Sequence, residues 1–452
     1  MKSYFAQRAY VSNRWERDVR IDVNGAGIIV KVESGGDNKG AQLLDGAVIP
    51  GMSNLHSHAF QRAMAGLTEV AGHPRDSFWT WREQMYRLVS TMTPEQVGVI
   101  ARHLYISMLK GGYTQVAEFN YLHHDPDGRA YAGDDMLQQL MNAAKLTGIG
   151  QTLLPVLYTY SGFSRQPPVA GQKRFIQDTE SYLCQYERVA SMVKNEHLIN
   201  QGICFHSLRA VSESQINQVL SATDKSLNVH IHIAEQQQEV NSCMVWSGKR
   251  PVEWLLEHFD VDSRWCLIHA THLSADEREK LSKSGAVAGL CPTTEANLGD
   301  GIFPASQYLK AGGKWGIGSD SHVSVNVAEE LRLLEYSQRL RDQQRNILTT
   351  PENPFVGDVL FSQAAAGGAQ ACNINAGELR AGNRADWVVL DDKSWFSHCP
   401  DEHLLNRWIF AGDKDQIKHV WVAGQMVVQD GHHLHDEESA TQFRQVMKTV
   451  MR

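Results

Sequence analysis

Two histidines separated by one residue, His56 and His58, end an apolar segment near the start of the chain. Residues two apart on a β-strand point to the same face, so both imidazoles can bind one metal ion if this segment is a strand. A His-x-His pair alone is a weak signal, because two exposed surface histidines would give the same pattern. Its meaning depends on whether further ligands follow at comparable positions.

A later apolar segment, residues 228–233, carries two more histidines and is followed by an acid. His232 is a candidate third ligand, and Glu235 lies three residues beyond it, within reach of the same pocket. His230 points to the same face one layer deeper, where a buried, hydrogen-bonded histidine is the more common situation.

Two further apolar segments end in side chains of the same kind. His269 closes the segment at residues 265–270, where a buried imidazole requires a partner. His272 follows on the loop and is expected to be solvated or to lie behind the site. Asp320 follows the segment at residues 315–318 and offers an anionic ligand, although an aspartate after a strand can also cap a helix.

The ordered set predicts a mononuclear metal-dependent hydrolase, with the spacing of a deaminase. Three histidines (His56, His58 and His232) and Asp320 suit one divalent ion with an open position for water. Zinc is favoured, and ferrous iron or manganese can accept the same ligands. A fourth segment ends at His206 without a lysine that could bridge a second metal. The chain has no HExxH motif, no Walker loop, no dinucleotide GxGxxG and no PCxxC of the nucleobase deaminases.

These side chains need a scaffold that brings the ends of several strands together. Eight short apolar segments alternate with helical segments and read as strands covered on both faces: residues 47–55, 113–119, 150–157, 202–205, 228–233, 265–270, 286–290 and 315–318. Capping signals such as TPEQ at residues 93–96 begin the helices between them. This α/β pattern predicts a (β/α)₈ TIM barrel, in which catalytic groups lie where strands end.

The two ends of the chain have the short alternating strands and glycine turns of a small antiparallel structure. Neither end is large enough to fold well alone. We therefore predict that residues 1–48 and 378–452 together form a flanking β-sandwich with a closing helix at residues 436–448. Residues 49–377 then form the hydrolase barrel.

The composition argues against several classes of partner. The chain has 43 Lys and Arg against 51 Asp and Glu, a net charge of −8 and no dense basic stretch, so nucleic-acid binding is not expected. No signal peptide or transmembrane segment is visible, so no membrane partner is expected either. Seven scattered cysteines without a CxxC pair are typical of a reducing, cytoplasmic setting.

The sequence resembles the amidohydrolase superfamily over nearly its whole length. Residues 48–58 match that superfamily's opening motif, and residues 377–386 match the segment where its chain returns to the β-sandwich. Within the superfamily, AFQR at residues 59–62 and FWTWR at residues 78–82 resemble the formimidoylglutamate deiminases of histidine degradation. The resemblance implies hydrolysis of N-formimidoyl-L-glutamate to N-formyl-L-glutamate and ammonia. It also implies a homodimer.

A substrate derived from glutamate is a small anion with two carboxylates, which arginine binds through a planar pair of donors. Arg82, in the long insertion after the first strand, and Arg209, just after the fourth, are the predicted carboxylate ligands, although most arginines are surface residues. Gln61, Tyr121 and His206 occupy similar rim positions and are predicted to hydrogen-bond the substrate. The aromatic residues at 78–81 are expected to pack as a lid.

The predicted catalytic residues are Glu235, His269 and Asp320. A bound divalent ion would lower the pKa of water toward neutrality. Asp320 would take the water proton while His269 orients the hydroxide. Glu235 would protonate the imine nitrogen and then the departing amine, so that ammonia leaves.

Three other functions stay open at this point. A related deaminase acting on a purine, pterin or triazine-like ring would share the metal ligands, but its pocket would need aromatic stacking and fewer cations. A non-catalytic barrel that serves as a scaffold, or that binds a dicarboxylate, would not need the acid–base set that this chain retains.

Overall fold

The chain folds into two β-sheets surrounded by helices. The computed structural model describes residues 1–70, 77–391, 397–412 and 414–451. The strands, numbered in chain order, are β1 Lys2–Val11, β2 Arg14–Val23, β3 Ile29–Glu33, β4 Gln42–Pro50, β5 Met52–Ser57, β6 Tyr113–Asn120, β7 Gly150–Leu157, β8 Ile199–Gln201, β9 Ile203–Ser207, β10 Val229–Ile233, β11 Trp265–His269, β12 Val287–Leu290, β13 Lys314–Ile317, β14 Trp387–Leu390, β15 Ile417–Val422, β16 Gln425–Gln429 and β17 His432–His433.

The α-helices alternate with the strands in the middle of the chain. They are α1 Phe78–Val89, α2 Pro94–Lys110, α3 Asp135–Thr147, α4 Thr179–Val193, α5 Glu213–Ala222, α6 Gln237–Ser247, α7 Pro251–His258, α8 Ala275–Ser284, α9 Pro292–Leu298, α10 Ala305–Lys310, α11 Val327–Asp342, α12 Val356–Ala371, α13 Leu404–Ala411 and α14 Asp436–Val450. Among the described residues, no helix combines the length and the apolar character needed to cross a membrane.

The central sheet is a parallel barrel in the order β5-β6-β7-β9-β10-β11-β12-β13, with the short strand β8 beside β7. Every residue of β6 and β7 is buried, because the barrel interior covers one face of each strand and the helices cover the other. The barrel closes between β5 and β13, where the backbone N–H of Asp320 donates to the carbonyl of His56 at 3.0 Å. The predicted (β/α)₈ fold is confirmed.

Side-chain caps begin several of the barrel helices. At α2, Thr93 Oγ1 accepts from the backbone N–H of Gln96 at 3.3 Å, and the Gln96 side chain accepts from the N–H of Thr93 at 3.0 Å. The same reciprocal pair begins α5 at Ser212 and α8 at Ser274. These caps fix where each helix begins and therefore how far each strand extends before its loop.

The second sheet is built from both ends of the chain, in the order β17-β16-β15-β14-β4-β1-β2-β3. It curls around its own apolar cluster, so that Tyr4 on β1 and Trp421 on β15 lie 6.5 Å apart between ring centroids although their strands are not neighbours. The Tyr4 hydroxyl donates to the carbonyl of Gly424 at 3.0 Å. The predicted flanking β-structure from the two chain ends is therefore confirmed, and α14 supplies the predicted closing helix.

The prediction of one continuous strand over residues 47–55 is wrong. The chain leaves the flanking sheet at Pro50, where β4 ends, and enters the barrel at Met52, where β5 begins. Gly51 makes this transfer possible, because a Cβ there would lie 2.3 Å from Oγ1 of Thr114. The Gly51 N–H donates to the carbonyl of Asp386 at 3.1 Å, which fastens the crossing point.

A buried ion pair lies at this junction of the two sheets. The Arg384 guanidinium donates to both carboxylate oxygens of Asp386, at 2.6 to 3.0 Å, and one of those oxygens also accepts from the N–H of Ala423 at 2.8 Å. Arg384 is 8% exposed and Asp386 is 3% exposed. Removal of one partner would leave the other charge buried and uncompensated.

We expect Asp386→Ala to lower the free energy of unfolding by about 3–5 kcal/mol, the usual effect of breaking a buried ion pair. The measurement is the urea denaturation midpoint of the two proteins. The matched control is Glu33→Ala, which removes a partner of the exposed Lys31–Glu33 pair and is expected to cost less than about 1 kcal/mol. Equal midpoints for the two variants would contradict the importance of the junction.

Candidate active site

Four of the predicted ligands meet at the carboxyl end of the barrel. His56 and His58 come from the end of β5, His232 from β10, and Asp320 from the loop after β13. His56 Nε2 lies 2.9 Å from His232 Nε2, and Asp320 Oδ1 lies 3.4 Å from Nε2 of both His56 and His58. All four side chains are buried. The ligand atoms of His56, His58 and Asp320 lie close enough together to hold a metal ion, and those of His56, His232 and His269 form a second such group that shares His56.

The charge state of these groups suits a metal. The His58 Nδ1–H donates to the carbonyl of Phe119 at 2.7 Å, which turns the Nε2 lone pair toward the other ligands. Burial lowers the pKa of His56 to about 3 and lowers the pKa of His58 and His232 as well, so these imidazoles are neutral. Burial raises the pKa of Asp320, but the contacts with His56 and His58 outweigh it and hold that pKa below its usual range.

The backbone around the site adopts the left-handed region at several residues that are not glycine, three of which carry or adjoin site residues. The φ angles are 53° at Ala234, 70° at His269 and 44° at Asp320. This region is unfavourable for residues with a Cβ and occurs most often at functional sites, where surrounding contacts enforce it. Each of the three residues lies at the end of a barrel strand or just after it, where the chain turns sharply to present a side chain to the centre.

His269 lies among three carboxylates. Its Nε2 is 3.8 Å from Oε1 of Glu235 and 3.8 Å from Oδ2 of Asp320, and its Nδ1 is 3.3 Å from Oε1 of Glu295. Burial by itself lowers the pKa of His269, but Glu235, Glu295 and Asp320 together raise it to about 10. The imidazole is therefore charged at neutral pH, with Nδ1 directed to Glu295 and Nε2 directed to the reaction centre.

A second buried acid lies beside Glu235. Asp300 accepts a hydrogen bond from the side-chain amide of Gln236, and its backbone N–H donates to the carbonyl of Glu295 at 2.9 Å. Burial raises the pKa of Glu235, and burial together with the nearby Glu235 raises the pKa of Asp300. At least one of the two carboxyl groups thus holds a proton near neutral pH. His272 Nε2 lies 2.8 Å from the carbonyl of Asp300, so it supports the loop behind the site.

The segment that carries the histidine pair is held from behind by Glu118 on β6. Its carboxylate accepts from the Ser57 hydroxyl at 2.6 Å, the N–H of Ala59 at 2.7 Å and the Tyr105 hydroxyl at 3.0 Å. Sequence reasoning missed this residue, as it missed Glu295 and Asp300. An acid inside a strand predicted to be buried on both faces was the available signal for Glu118, because a buried carboxylate requires partners.

His230 has a structural position, in agreement with its interpretation from the sequence. It is fully buried in β10, and its Nε2 lies 2.8 Å from the carbonyl of Ala371, the last residue of α12. Among the described residues, His230 forms no hydrogen bond with His56, His58, His232 or Asp320.

A pocket opens above the ligands. All five residues predicted to bind substrate line it: Gln61, Arg82, Tyr121, His206 and Arg209. Its aromatic and apolar walls include Phe78, Trp81, Met85, Tyr86, Tyr158 and Leu298. The Gln61 side-chain amide donates to the Tyr121 hydroxyl at 2.9 Å. The ring of His206 lies 4.1 Å from that of Tyr158, and burial followed by the nearby Arg209 lowers the His206 pKa.

The two pocket arginines lack acidic partners in the part of the chain that the structure describes. Neither Arg82 nor Arg209 forms an ion pair there, and the Nε atom of each is buried without a hydrogen-bond partner. Two guanidinium groups that line one pocket without forming an ion pair could bind an anion, most simply one with two carboxylates.

Comparisons with known proteins agree with this geometry. The family model described as "Amidohydrolase family" matches residues 47–427. A formimidoylglutamate deiminase of Pseudomonas aeruginosa is 54% identical over 454 residues, which cover 100% of each chain.

Solved structures give the same relationship. A crystal structure of an amidohydrolase from Brucella melitensis superposes with a TM-score of 0.95 at 44% identity and covers 100% of both chains. An adenosine deaminase from Xanthomonas campestris, solved with bound zinc, has a TM-score of 0.83 at 20% identity, covers 99% of this chain and 98% of its own, and shares the fold. With a family model spanning most of the sequence and full-length relatives this similar, the chain belongs to the amidohydrolase family.

Proposed function

We propose that this protein is a metal-dependent hydrolase that converts N-formimidoyl-L-glutamate to N-formyl-L-glutamate and ammonia, a step of histidine degradation. The observation that carries the proposal is the pair Arg82 and Arg209, which face the ligand cluster without an acidic partner among the described residues. A substrate with two carboxylates would supply both missing counter-charges. The full-length relative named formimidoylglutamate deiminase supports the same substrate.

The proposal includes one divalent ion, with zinc favoured, bound by His56, His58, His232 and Asp320. Neutral imidazoles and one anionic carboxylate are the donors that zinc prefers. When bound, the ion would supply Lewis-acid activation of water. The barrel of residues 49–377 would carry the chemistry, and residues 1–48 and 378–452 would hold the strand that bears His56.

The protein's own acid and base groups complete the proposed reaction. Asp320 accepts one proton from water as the water oxygen adds to the formimidoyl carbon, and Glu235 gives a proton to the imine nitrogen. Glu235 then takes the proton of the added hydroxyl and passes it to the same nitrogen, the bond between carbon and nitrogen breaks, and ammonia leaves. The carbon keeps the oxygen as a formyl group, and the proton held by Asp320 returns to Glu235, so both groups regain their starting states. The charged His269 orients the water.

A deaminase for a purine or triazine-like ring is a weaker proposal for this pocket. A neutral ring would leave both guanidinium groups desolvated and without partners, which is costly. We also propose a homodimer, on the resemblance to the superfamily, and a cytoplasmic location. The free state of all seven cysteines supports a reducing compartment.

The first test is ammonia release by the metal-loaded protein from N-formimidoyl-L-glutamate, with guanine and cytosine as parallel substrates. We expect turnover of the first compound alone, because only it supplies two carboxylates for Arg82 and Arg209. Turnover of a ring substrate without turnover of N-formimidoyl-L-glutamate would overturn the proposed specificity and leave the metal-dependent chemistry standing.

Glu235→Gln should lower kcat by about 10²- to 10⁴-fold, the usual contribution of a general acid, and leave the bound metal unchanged. Glutamine keeps the size of the side chain but cannot supply the proton, and Glu235 is not one of the four proposed ligands. Ammonia release measures kcat, and mass spectrometry measures the metal content. The control is Glu279→Gln on the exposed face of α8. A near-normal kcat in Glu235→Gln would show that Glu235 is not the proton donor.

Arg82→Ala and Arg209→Ala should each raise KM by about 10- to 100-fold, because a charge-assisted hydrogen bond contributes about 1.5–3 kcal/mol. Initial rates over a range of substrate concentration give KM and kcat separately. Arg345→Ala, at an exposed arginine outside the pocket, serves as the control and should behave as the unmodified protein. An unchanged KM in both pocket variants would be incompatible with a carboxylate clamp.

A further inference from the structure

One aromatic ring contacts both pocket arginines. The Arg82 guanidinium carbon lies 4.6 Å from the ring centroid of Trp79, and the Arg209 guanidinium carbon lies 5.8 Å from the same centroid. Trp79 belongs to α1, whereas Arg209 follows β9, so the ring joins two distant parts of the chain. Trp79 itself is not among the described residues that line the pocket.

The position of Trp79 follows from the start of α1. The Ser77 hydroxyl caps the helix by accepting from the N–H of Trp79 at 3.3 Å, and the N–H of Ser77 donates to the Thr80 hydroxyl at 3.0 Å. Residues three apart on a helix are neighbours on its surface, which places Trp79 beside Arg82. The cap therefore helps to fix the position of the ring, which lies within cation–π distance of Arg209.

Two nearby guanidinium groups repel each other, and burial strengthens the repulsion because little solvent screens it. The face of an indole ring carries negative electrostatic potential and attracts a cation within about 6 Å. Arg82 also lies over the ring of Tyr86, at 5.5 Å from its centroid. Neither arginine forms an ion pair among the described residues, and the Nε atom of each is buried without a hydrogen-bond partner, so the aromatic faces are the nearest stabilising contacts that the structure gives both guanidinium groups.

We propose that Trp79 is a positioning residue that holds Arg82 and Arg209 together as one clamp, and that it thereby sets a preference for dicarboxylates over monocarboxylates. The inference rests on the proposed function for the role of the two arginines. Trp79 does not touch the substrate; it acts by keeping two like charges at a spacing that two carboxylates of one small molecule can bridge.

The test is isothermal titration calorimetry of the metal-loaded protein with glutarate and with butyrate, for the unmodified protein, Trp79→Phe and Trp79→Leu. Loss of the aromatic face in Trp79→Leu should weaken glutarate binding by about tenfold, within the range of cation–π interactions, and weaken butyrate binding much less. Phenylalanine keeps an aromatic face, so Trp79→Phe should retain most of the affinity. Trp15→Leu, at a tryptophan packed on Tyr10 in the flanking sheet, is the matched control.

Three results would overturn the inference: equal effects of Phe and Leu, equal weakening of both ligands, or no preference for glutarate in the unmodified protein. Trp79→Met replaces Trp79→Leu if the leucine variant does not fold. A double-mutant cycle adds a test that simple loss of packing would fail. Because Trp79 acts through Arg82, adding Trp79→Leu to Arg82→Ala should cost less glutarate affinity than the same change in the unmodified protein.

The same variants separate this inference from the proposed function. With N-formimidoyl-L-glutamate, Trp79→Leu should raise KM and leave kcat nearly unchanged, since the acid–base groups keep their places. A preference for glutarate without any turnover would reject the proposed reaction and support the clamp. Turnover with no preference for glutarate would reject the clamp and support the reaction.

Discussion

The closure of the barrel between β5 and β13 is the constraint on which the site depends. The carbonyl of His56 accepts the N–H of Asp320, and the carbonyl of Asp320 accepts the N–H of His58 at 3.3 Å. The backbone bonds that complete the barrel are thus made by residues whose side chains converge on the proposed metal position. The left-handed φ of Asp320 is maintained at this seam, where the hydrogen bonds on both sides of the residue hold it.

Charged groups in the site lie in two layers on either side of the proposed substrate position. In the inner layer, the charged His269 lies 3.8 Å from both Glu235 and Asp320. The outer layer holds Arg82 and Arg209, with aromatic faces and no acids among the described residues. A bound dianion would neutralise the outer layer and place the rest of the molecule over the inner one. Under the proposed function, substrate binding and catalysis would therefore use different groups.

Much of this arrangement could be predicted from the sequence, because the alternation of side chains along a strand depends only on residues that are close together in the chain. The alternation of residues in a strand places His56 and His58 on one face, and the short, mostly apolar segments of β6 and β7 are buried along their whole length, as predicted. The break at Gly51 was not predictable, since it depends on contacts with Thr114 and Asp386, more than sixty residues away in the chain. The roles of Glu295 and Trp79 were not predicted for the same reason. Each residue contacts a partner, His269 or Arg209, that is distant in the sequence and that only the fold brings near.

The division of the flanking sheet between the two chain ends affects how the protein is made. Strand β4 leads directly into β5, and its neighbour β14 begins at Trp387. During synthesis, which proceeds from the N-terminus at about 5–20 residues per second, β5 emerges first among the barrel strands. The sheet that anchors it is completed only after β14 to β17 leave the ribosome. A chain released early would carry all four proposed metal ligands and lack the frame that holds the first two in register.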